Sequence, residues 1–497
     1  MMGEMHFDAP RDLDPSAGPW YREMTGYHWF VLLVASLGWM FDCLDQQFFV
    51  LGRPAAMKEL LPGATSQEIG TYSDIATAIF LMGWATGGLI FGVLGDRIGR
   101  AKTMLITILI YSVFTGMCSL SQNFWQFAVF RFLTDMGVGG EFAVGVALVA
   151  ETMPSRARTP MLTLLQMLST VGNITAALIN MRLGVLEGEG AINSPWRWMF
   201  AIGALPALLA ILVRWKLKEP ERWKQISTEA AFEKQLGSYS NLFRDARWRR
   251  NALVGLALAI AGVVGLWAVG FYTPDLVKTV LREKLTVAEL DRQIETQGQD
   301  PAEAANLRQL KADWESNTEV SAKPALPEKI QTAVNGSITF WGGVSSICFQ
   351  SGAFVGMFVF GYVTQRIGRK PTFAIALSAA CVLTVIEFLF LDTFSEIFWM
   401  VPLVGFFQLS LFAGYAVYFP ELFPTALRST GTSFCYNVGR FIAVPMLLGK
   451  AALRSFYSAA PDPWPLRYAG VTMCAVFLIG LIALPFAPET RWKQLPD

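Results

Sequence analysis

Four ionisable side chains stand in stretches otherwise apolar enough to lie in a membrane. Asp42 and Asp45 are three apart in GWMFDCLDQQFF, and Arg131 and Asp135 are four apart in FRFLTDMG. Each pair falls on one face of a helix. An ionised group near a bilayer centre costs a few kcal/mol or more unless it faces a cavity or a partner. Burial raises a carboxylate's pKa and a neighbouring cation lowers it, so a carboxylate beside a movable arginine can take up and release a proton. At 1.5 Å per residue, Asp45 and Arg131 each lie about 7 to 11 Å inside the same edge of their apolar runs, which makes a contact between them geometrically open. Two readings follow: Asp45 alternates between Arg131 and a proton, or the pair is a fixed tie between two helices. The first is favoured, because buried ion pairs repay their desolvation poorly. Asp42 and Asp135 belong to the same expected proton-coupling set. With two histidines in the chain, His6 and His28, a histidine relay is not expected.

A second group of polar residues has the spacing of a lumen-facing set. Gln166, Asn173 and Asn180 recur every seven residues, about one helical stripe. Gln166 and Asn173 either contact substrate or hydrogen-bond between helices, since membrane helices use amides for both. Asn437 and Arg440 lie in a later apolar run, and Arg440 offers a cation for a carboxylate. Glu387 either meets a lumenal cation or reaches water at its helix edge. Gly137, Gly139 and Gly140 follow no strand and precede no lysine, so they read as close helix packing rather than a phosphate loop. No nucleophile, metal or nucleotide constellation appears, so an enzyme is not expected; nor is a cofactor or a bound metal. A proton gradient is the expected driving force.

The elements that carry these residues are set by hydropathy. The 497 residues are 53% hydrophobic and 16% charged, with 37 phenylalanines, too apolar for a soluble chain of this size. A net charge of +1 points away from nucleic acid. The six cysteines sit in apolar runs without metal or disulfide spacing and read as packing residues. Runs long enough to span a bilayer occur near 28–50, 71–94, 103–121, 124–150, 160–183, 196–215, 251–273, 337–363, 371–391, 396–419, 426–449 and 466–487. This predicts an all-α membrane protein of twelve transmembrane helices in two pseudo-twofold-related six-helix bundles. Lys and Arg concentrate in alternate short loops, which places both termini in the cytoplasm. The expected layout is a cytoplasmic tail at 1–27, an N-terminal bundle at 28–215, a cytoplasmic linker at 216–250, a C-terminal bundle at 251–487 and a tail at 488–497.

Internal repetition supports two related halves. GVLGDRIGRAK at Gly92 to Lys102 returns as GYVTQRIGRK at Gly361 to Lys370, Glu151-Pro154-Arg158 returns as Glu421-Pro424-Arg428, and PERW at Pro220 returns as PETRW at Pro488. Repeated halves in an apolar chain point to a transporter. The echoes are displaced by about 269 residues but the first and seventh runs by only about 223, so the later half carries an insertion near 275–335. Thr286 with Glu289, and Asp300 before Pro301, predict the starts of two short amphipathic helices over the outer mouth.

These residues carry a family resemblance over nearly the whole chain. GVLGDRIGRAK resembles the loop between helices two and three of the major facilitator superfamily. WRWMF, EPERW, PELFPTALRSTG and PETRWKQLP resemble motifs of its sugar-porter-like and metabolite:proton symporter branches. FDCLD is similar to the FDGYD-type first-helix motif of aromatic and organic acid symporters, with Cys43 in place of glycine. The resemblance implies that Asp45 and Arg131 form a proton-coupling pair and that Gln166 and Asn173 contact substrate. It implies that Gly92, Asp96, Arg97, Gly99, Arg100, Glu151, Arg158, Arg366, Arg369, Glu421 and Arg428 form a gating motif, with Asp96 latching the start of the eleventh helix where Arg428 sits. The seventh run lacks the glutamine and asparagine cluster with which sugar porters bind hexoses, which favours an organic acid.

The expected function is alternating-access symport of a proton with a small organic acid, through a monomer in the plasma membrane, or the inner membrane of a Gram-negative cell. The partners expected are a small organic anion and the lipid bilayer. The rival readings are a facilitator, a proton-antiport exporter of a sugar or drug-like solute, or a membrane sensor that binds solute without moving it.

Overall fold

The computed structural model describes residues 19–188, 190–228, 236–270, 272–296, 301–316, 324–461, 463–491 and 493–496. Most of the expected N-terminal tail, and Asp300 with its predicted cap, lie outside them. Among the described residues all regular structure is helical. The helices are α1 (Gly26–Leu60), α2 (Ser66–Ile98), α3 (Arg100–Cys118), α4 (Phe124–Thr152), α5 (Ser155–Gly188), α6 (Pro195–Ile202), α7 (Ala207–Lys216), α8 (Glu221–Thr228) and α9 (Tyr239–Arg244). There follow α10 (Ala246–Val264), which runs through a π-helical turn at Gly265–Gly270 towards α11 (Tyr272–Thr296), then α12 (Pro301–Ser316), α13 (Glu328–Ile367) and α14 (Arg369–Phe390). The last are α15 (Phe394–Ile397), α16 (Met400–Glu421), α17 (Arg428–Leu448), α18 (Lys450–Phe456), α19 (Trp464–Met473) and α20 (Val476–Ala483).

Helix starts are written locally. Thr25 and His28 form a reciprocal capping box on α1, Thr65 and Glu68 another on α2, and Asn123 accepts the Gln126 N–H at 3.0 Å on α4. His28 is thus spent on a cap. The two RIGR turns use their glycines at positive φ, 112° at Gly99 and 100° at Gly368, a conformation that a side chain would strain. Each turn opens a helix whose first N–H groups have no partner of their own. Glu219 takes those of Ala101 and Lys102 at 3.1 and 3.0 Å, and Glu489 takes those of Arg369 and Lys370 at 3.0 and 3.1 Å. This explains why EPERW and PETRW recur with the turns: each supplies the anion for its helix.

Glu489 also gives a pH prediction. Its surroundings partly desolvate it, but the N–H groups of Arg369, Arg491 and Lys370 and the Arg369 charge outweigh this and hold the carboxyl below the ordinary carboxylate range. A depressed folded pKa contributes stability above the unfolded value, about 4.3, that is lost as pH falls through the folded one. The Tm difference between wild type and Glu489→Gln in detergent is therefore expected to be largest at neutral pH and to close on acidification. A difference that stays constant down to strongly acid pH would contradict this.

Packing repeats as the sequence does. In the earlier set, α4 packs on both α2 and α3 while α1 packs on α5; in the later set, α16 packs on both α13 and α14 while α10 packs on α17. The sets meet where α2 lies along α17 and α5 along α13. The glycines of α4 serve close approach, as expected: a Cβ on Gly137 would meet the Tyr111 amide at 2.8 Å, and one on Gly139 the Gly88 amide at 2.7 Å.

Among the described residues ten helical stretches are long and apolar enough to cross a bilayer. The expected sixth and eleventh spans are not among them. The 196–215 run breaks into α6 and α7 around Gly203 and Pro206, a residue with no N–H to continue the ladder. The eleventh, α17, turns Ser429, Thr430, Thr432, Ser433, Asn437 and Arg440 inward, which lowers its hydropathy without exposing them.

The insertion also differs from expectation. Thr286 starts no helix: it lies within α11, and its hydroxyl donates to the Arg282 carbonyl at 2.8 Å. Both α11 and the 40-residue α13 run on unbroken from the bundle, so that only α12 is a separate piece. At 1.5 Å per residue α13 is about 60 Å long, roughly twice a hydrocarbon core. Leu290, Leu307, Ile330, Val334 and Ile338 bind the three helices into a small satellite core. Beneath it lies a cavity of about 500 Å³, lined in part by Arg282, Trp314, Asn335 and Arg454.

Candidate transport pathway

The polar residues of α1, α3 and α4 meet in the interior. Arg131 Nη2 donates to Asp45 Oδ2 and to Asp135 Oδ1, both at 2.5 Å, and its Nε to Asp135 Oδ2 at 2.7 Å. Thr115 of α3 donates to Asp45 Oδ1 at 2.9 Å. All three charged residues are at most 1% exposed. Phe49 and Phe80 lie 5.1 and 5.4 Å from the guanidinium carbon and stack on each other, which excludes water from that side. The Asp45–Arg131 contact expected from helix depth is present. One arginine serves two carboxylates, so Asp135 keeps Arg131 paired even when Asp45 is neutral.

Asp42 does not join that cluster. It is 0% exposed, and neither carboxylate oxygen meets a hydrogen-bond donor among the described residues. Its neighbour from α4 is Glu141, a residue that sequence reasoning passed over although it stands in an apolar run by the same criterion as Asp42.

Arg440 lies on α17, across the divide between the two helix sets. Its Nη1 donates to the Tyr436 carbonyl at 2.6 Å and to Asn437 Oδ1 at 3.1 Å, while Nε and Nη2 are buried and meet no hydrogen-bond acceptor among the described residues. Its guanidinium carbon sits 3.7 Å from the Trp84 ring and 4.5 Å from that of Tyr436. Trp267 packs on Trp84, and Phe142 of the other set stacks on Tyr436 at 3.8 Å. These aromatics were not singled out in the sequence, where a lone aromatic in an apolar run carries no signal.

Asn437 is engaged by protein rather than left open. Its amide donates to Ser433 Oγ at 2.9 Å and to the Gly139 carbonyl at 3.4 Å, so it orients Arg440 and seats α17 on the α2–α4 packing. Gln166 is 2% exposed, its Oε1 has no partner and its Nε2 reaches Ser169 only at 3.5 Å; Asn173, two turns on, is half-buried. Glu387 is fully buried on α14, with Oε2 accepting from Thr273 at 3.1 Å.

The expected gating residues gather at the end of the bundle that carries the RIGR turns. Asp96 accepts the N–H groups of Ser429 and Thr430 at 3.1 and 2.8 Å and the Thr430 hydroxyl at 2.7 Å, capping α17, and Gly92 lets α2 approach Ser433. Asp96 therefore holds the start of the eleventh helix, as the resemblance implied, through Ser429 and Thr430 and not through the Arg428 side chain. Arg428 pairs with Glu151 at 2.7 Å, and Arg100 bridges Asp96 and Glu151, each at 3.0 Å. In the second copy Arg369 pairs with Glu421 at 2.8 Å and donates to Thr159 of α5 at 3.1 Å. Arg158 donates to the Ala150 carbonyl at 2.8 Å, as Arg428 does to that of Pro420 at 3.2 Å. Two residues stand outside the latch because they point to the surface: Arg97 holds the Leu236 carbonyl at 3.3 Å, and Arg366 lies over Tyr362 at 4.2 Å. The latch is asymmetric because Gln365 stands where the first turn has Asp96.

The sequence profile described as "Sugar (and other) transporter" matches residues 33–241 and 301–495. A putative metabolite transport protein of Haemophilus influenzae is 26% identical over 482 residues, 95% of this chain and 99% of that one. A probable 4-methylmuconolactone transporter of Cupriavidus pinatubonensis is 26% identical over 95% of this chain and 93% of its own length. Among solved structures, the proton:xylose symporter XylE of the major facilitator superfamily superposes with a TM-score of 0.65 at 16% identity, over 94% of this chain and 98% of that one. With its apolar helices and interior charges, the chain is a multi-pass membrane transporter with the fold of the major facilitator superfamily, and it belongs to the sugar (and other) transporter family.

Proposed function

We propose that this protein is a proton symporter for a small organic acid, working by alternating access. The observation that carries the reading is Arg440: a buried guanidinium with Nε and Nη2 unpartnered between aromatic rings, across from a carboxylate cluster in the other helix set. A buried cation lacking a counter-charge favours a carboxylate ligand, which a guanidinium grips through two parallel N–H groups. Gln166 and Asn173 contact the rest of the ligand, and Asn437 positions Arg440. The names of relatives agree in chemistry: beside the muconolactone transporter, a cis,cis-muconate transport protein is 26% identical over 83% of this chain and a niacin transporter 25% over 85%, both from Acinetobacter baylyi.

In this reading Asp45 takes a proton when Arg131 turns wholly to Asp135, and loses it when Arg131 returns. Twelve spans form two bundles, 28–215 and 251–487, joined by 216–250, with both termini in the cytoplasm and the protein a monomer in the plasma or inner membrane. The basic RIGR turns favour a cytoplasmic position for the latch. Asp96, Arg100, Glu151, Arg369, Glu421 and Arg428 then close that side in the present conformer, and α11 to α13 cap the outside.

The test is uptake of radiolabelled muconate, benzoate and niacin into proteoliposomes. A gradient acid outside is expected to drive accumulation of at least one, and a protonophore to abolish it. Accumulation of xylose in preference to every acid would overturn the reading.

A further inference from the structure

The interface of α1 with α4 holds four carboxylates and one arginine. Asp45 and Asp135 share Arg131, but Asp42 and Glu141 have no cation between them. Glu141 is 1% exposed; its Oε2 takes a single hydrogen bond, from Thr107 at 3.3 Å, and its Oε1 takes none. That Oε1 lies over Gly38, in the space a Cβ would fill, one helical turn before Asp42. Glu141 thus reaches α1 one turn from Asp42, and three oxygens of the two carboxyls lack any donor among the described residues.

The charges that reach Asp42 are Glu141, Asp45, Asp135 and, behind the two upper aspartates, Arg131. From α3, Tyr111 lies within electrostatic reach of both Asp42 and Glu141. From α17, Tyr436 lies within electrostatic reach of Asp42, and Arg440 within that of Cys43 beside it. Arg131, the cation that acts on Asp42, is thus already shared by two other carboxylates. Two bare carboxylates so placed would each be heavily penalised by desolvation, with no cation of their own to offset it. Like charges this close do not both ionise; such pairs hold a proton between them.

We propose that Asp42 and Glu141 form a second proton-binding site, separate from Asp45–Arg131–Asp135, whose proton crosses the membrane with the substrate. On the outer side a hydronium ion gives its proton to one carboxylate oxygen, forming an O–H bond and releasing water. On the inner side that bond breaks to water and leaves the carboxylate. The substrate anion at Arg440 is close enough, through Tyr436, for its charge to favour the protonated pair and for its departure to favour release. With one proton on each site, the symporter moves about two protons per acid anion, and transport carries net positive charge inward. The transport step rests on the symport reading; occupancy of the site by a proton does not.

The first experiment needs no substrate. Infrared difference spectra of the purified full-length protein, taken on a pH jump through neutrality, are expected to show the C=O stretch of a protonated carboxyl in an apolar setting. Glu141→Gln and Asp42→Asn should each remove that band in protein that remains monodisperse, and Asp45→Asn should leave it. Absence of the band in wild type, or its persistence in both variants, overturns the proposal. Either variant alone suffices if the other misfolds. The second experiment measures the membrane potential at which net flux of radiolabelled benzoate or muconate vanishes. The coupling ratio is expected to fall from about two protons to about one in Glu141→Gln; an unchanged ratio beside a lost band removes the transported proton but keeps the site. Failure of wild type to accumulate either acid would sink the symport reading while the infrared result still stands.

Discussion

Arg440→Met is expected to abolish saturable uptake of the organic acid while leaving the protein folded and no less heat-stable than wild type. Methionine fills similar space between Trp84 and Tyr436 but offers no charge. A guanidinium paired with a carboxylate in a desolvated site contributes about 3 kcal/mol or more, roughly a hundredfold or more in affinity. The stability half of the expectation follows from what Arg440 lacks: its Nε and Nη2 are buried without acceptors among the described residues, so the empty protein carries a desolvated cation that Nη1 and the flanking rings compensate only in part. Removing it should relieve that cost, an example of function held at the expense of stability. Arg440→Lys keeps the charge but loses the planar fork, and should retain binding at a clearly higher KM. Uptake by Arg440→Met with a KM within about twofold of wild type would remove the carboxylate from this position.

Asp45→Asn is expected to remove one of the two coupled protons from transport. The amide is isosteric and its oxygen still accepts from Thr115, while Asp135 keeps Arg131 paired, so the fold should hold. What disappears is the group that exchanges a proton. A two-unit pH gradient stores about 2.7 kcal/mol per proton, which supports roughly a hundredfold accumulation. In proteoliposomes the variant should lose the accumulation that depends on this proton, yet retain counterflow exchange of labelled for unlabelled acid. Accumulation that survives intact would mean that Asp45 and Arg131 only tie α1 to α4.

Several features could be read before any coordinates because they depend on short stretches of chain. Gly99 and Gly368 occupy positive φ, and the basic residues beside them mark the turns; both are local properties. The match of Asp45 with Arg131 was legible because both helices run across one slab at a constant rise, so that residue counting gives depth. The insertion was misread for a related reason. Thr286 and Glu289 have the pattern of a capping box, but such a pattern marks a start only where the preceding turn is not helical, and here apolar contacts with α12 and α13 hold α11 together through it.

Amino-acid order alone determined that the chain crosses a membrane repeatedly, that its halves are related, that acids and a base share one depth, and that Arg440 is a candidate for an anion. Only the tertiary structure decided which charges compensate one another. Arg428 pairs with Glu151 rather than Asp96, and Glu141 stands with Asp42 beyond the reach of Arg131, because these outcomes depend on the rotation and slide of one helix against another. A shift of one residue turns a helix by about 100°, which exchanges neighbours while leaving composition and hydropathy untouched.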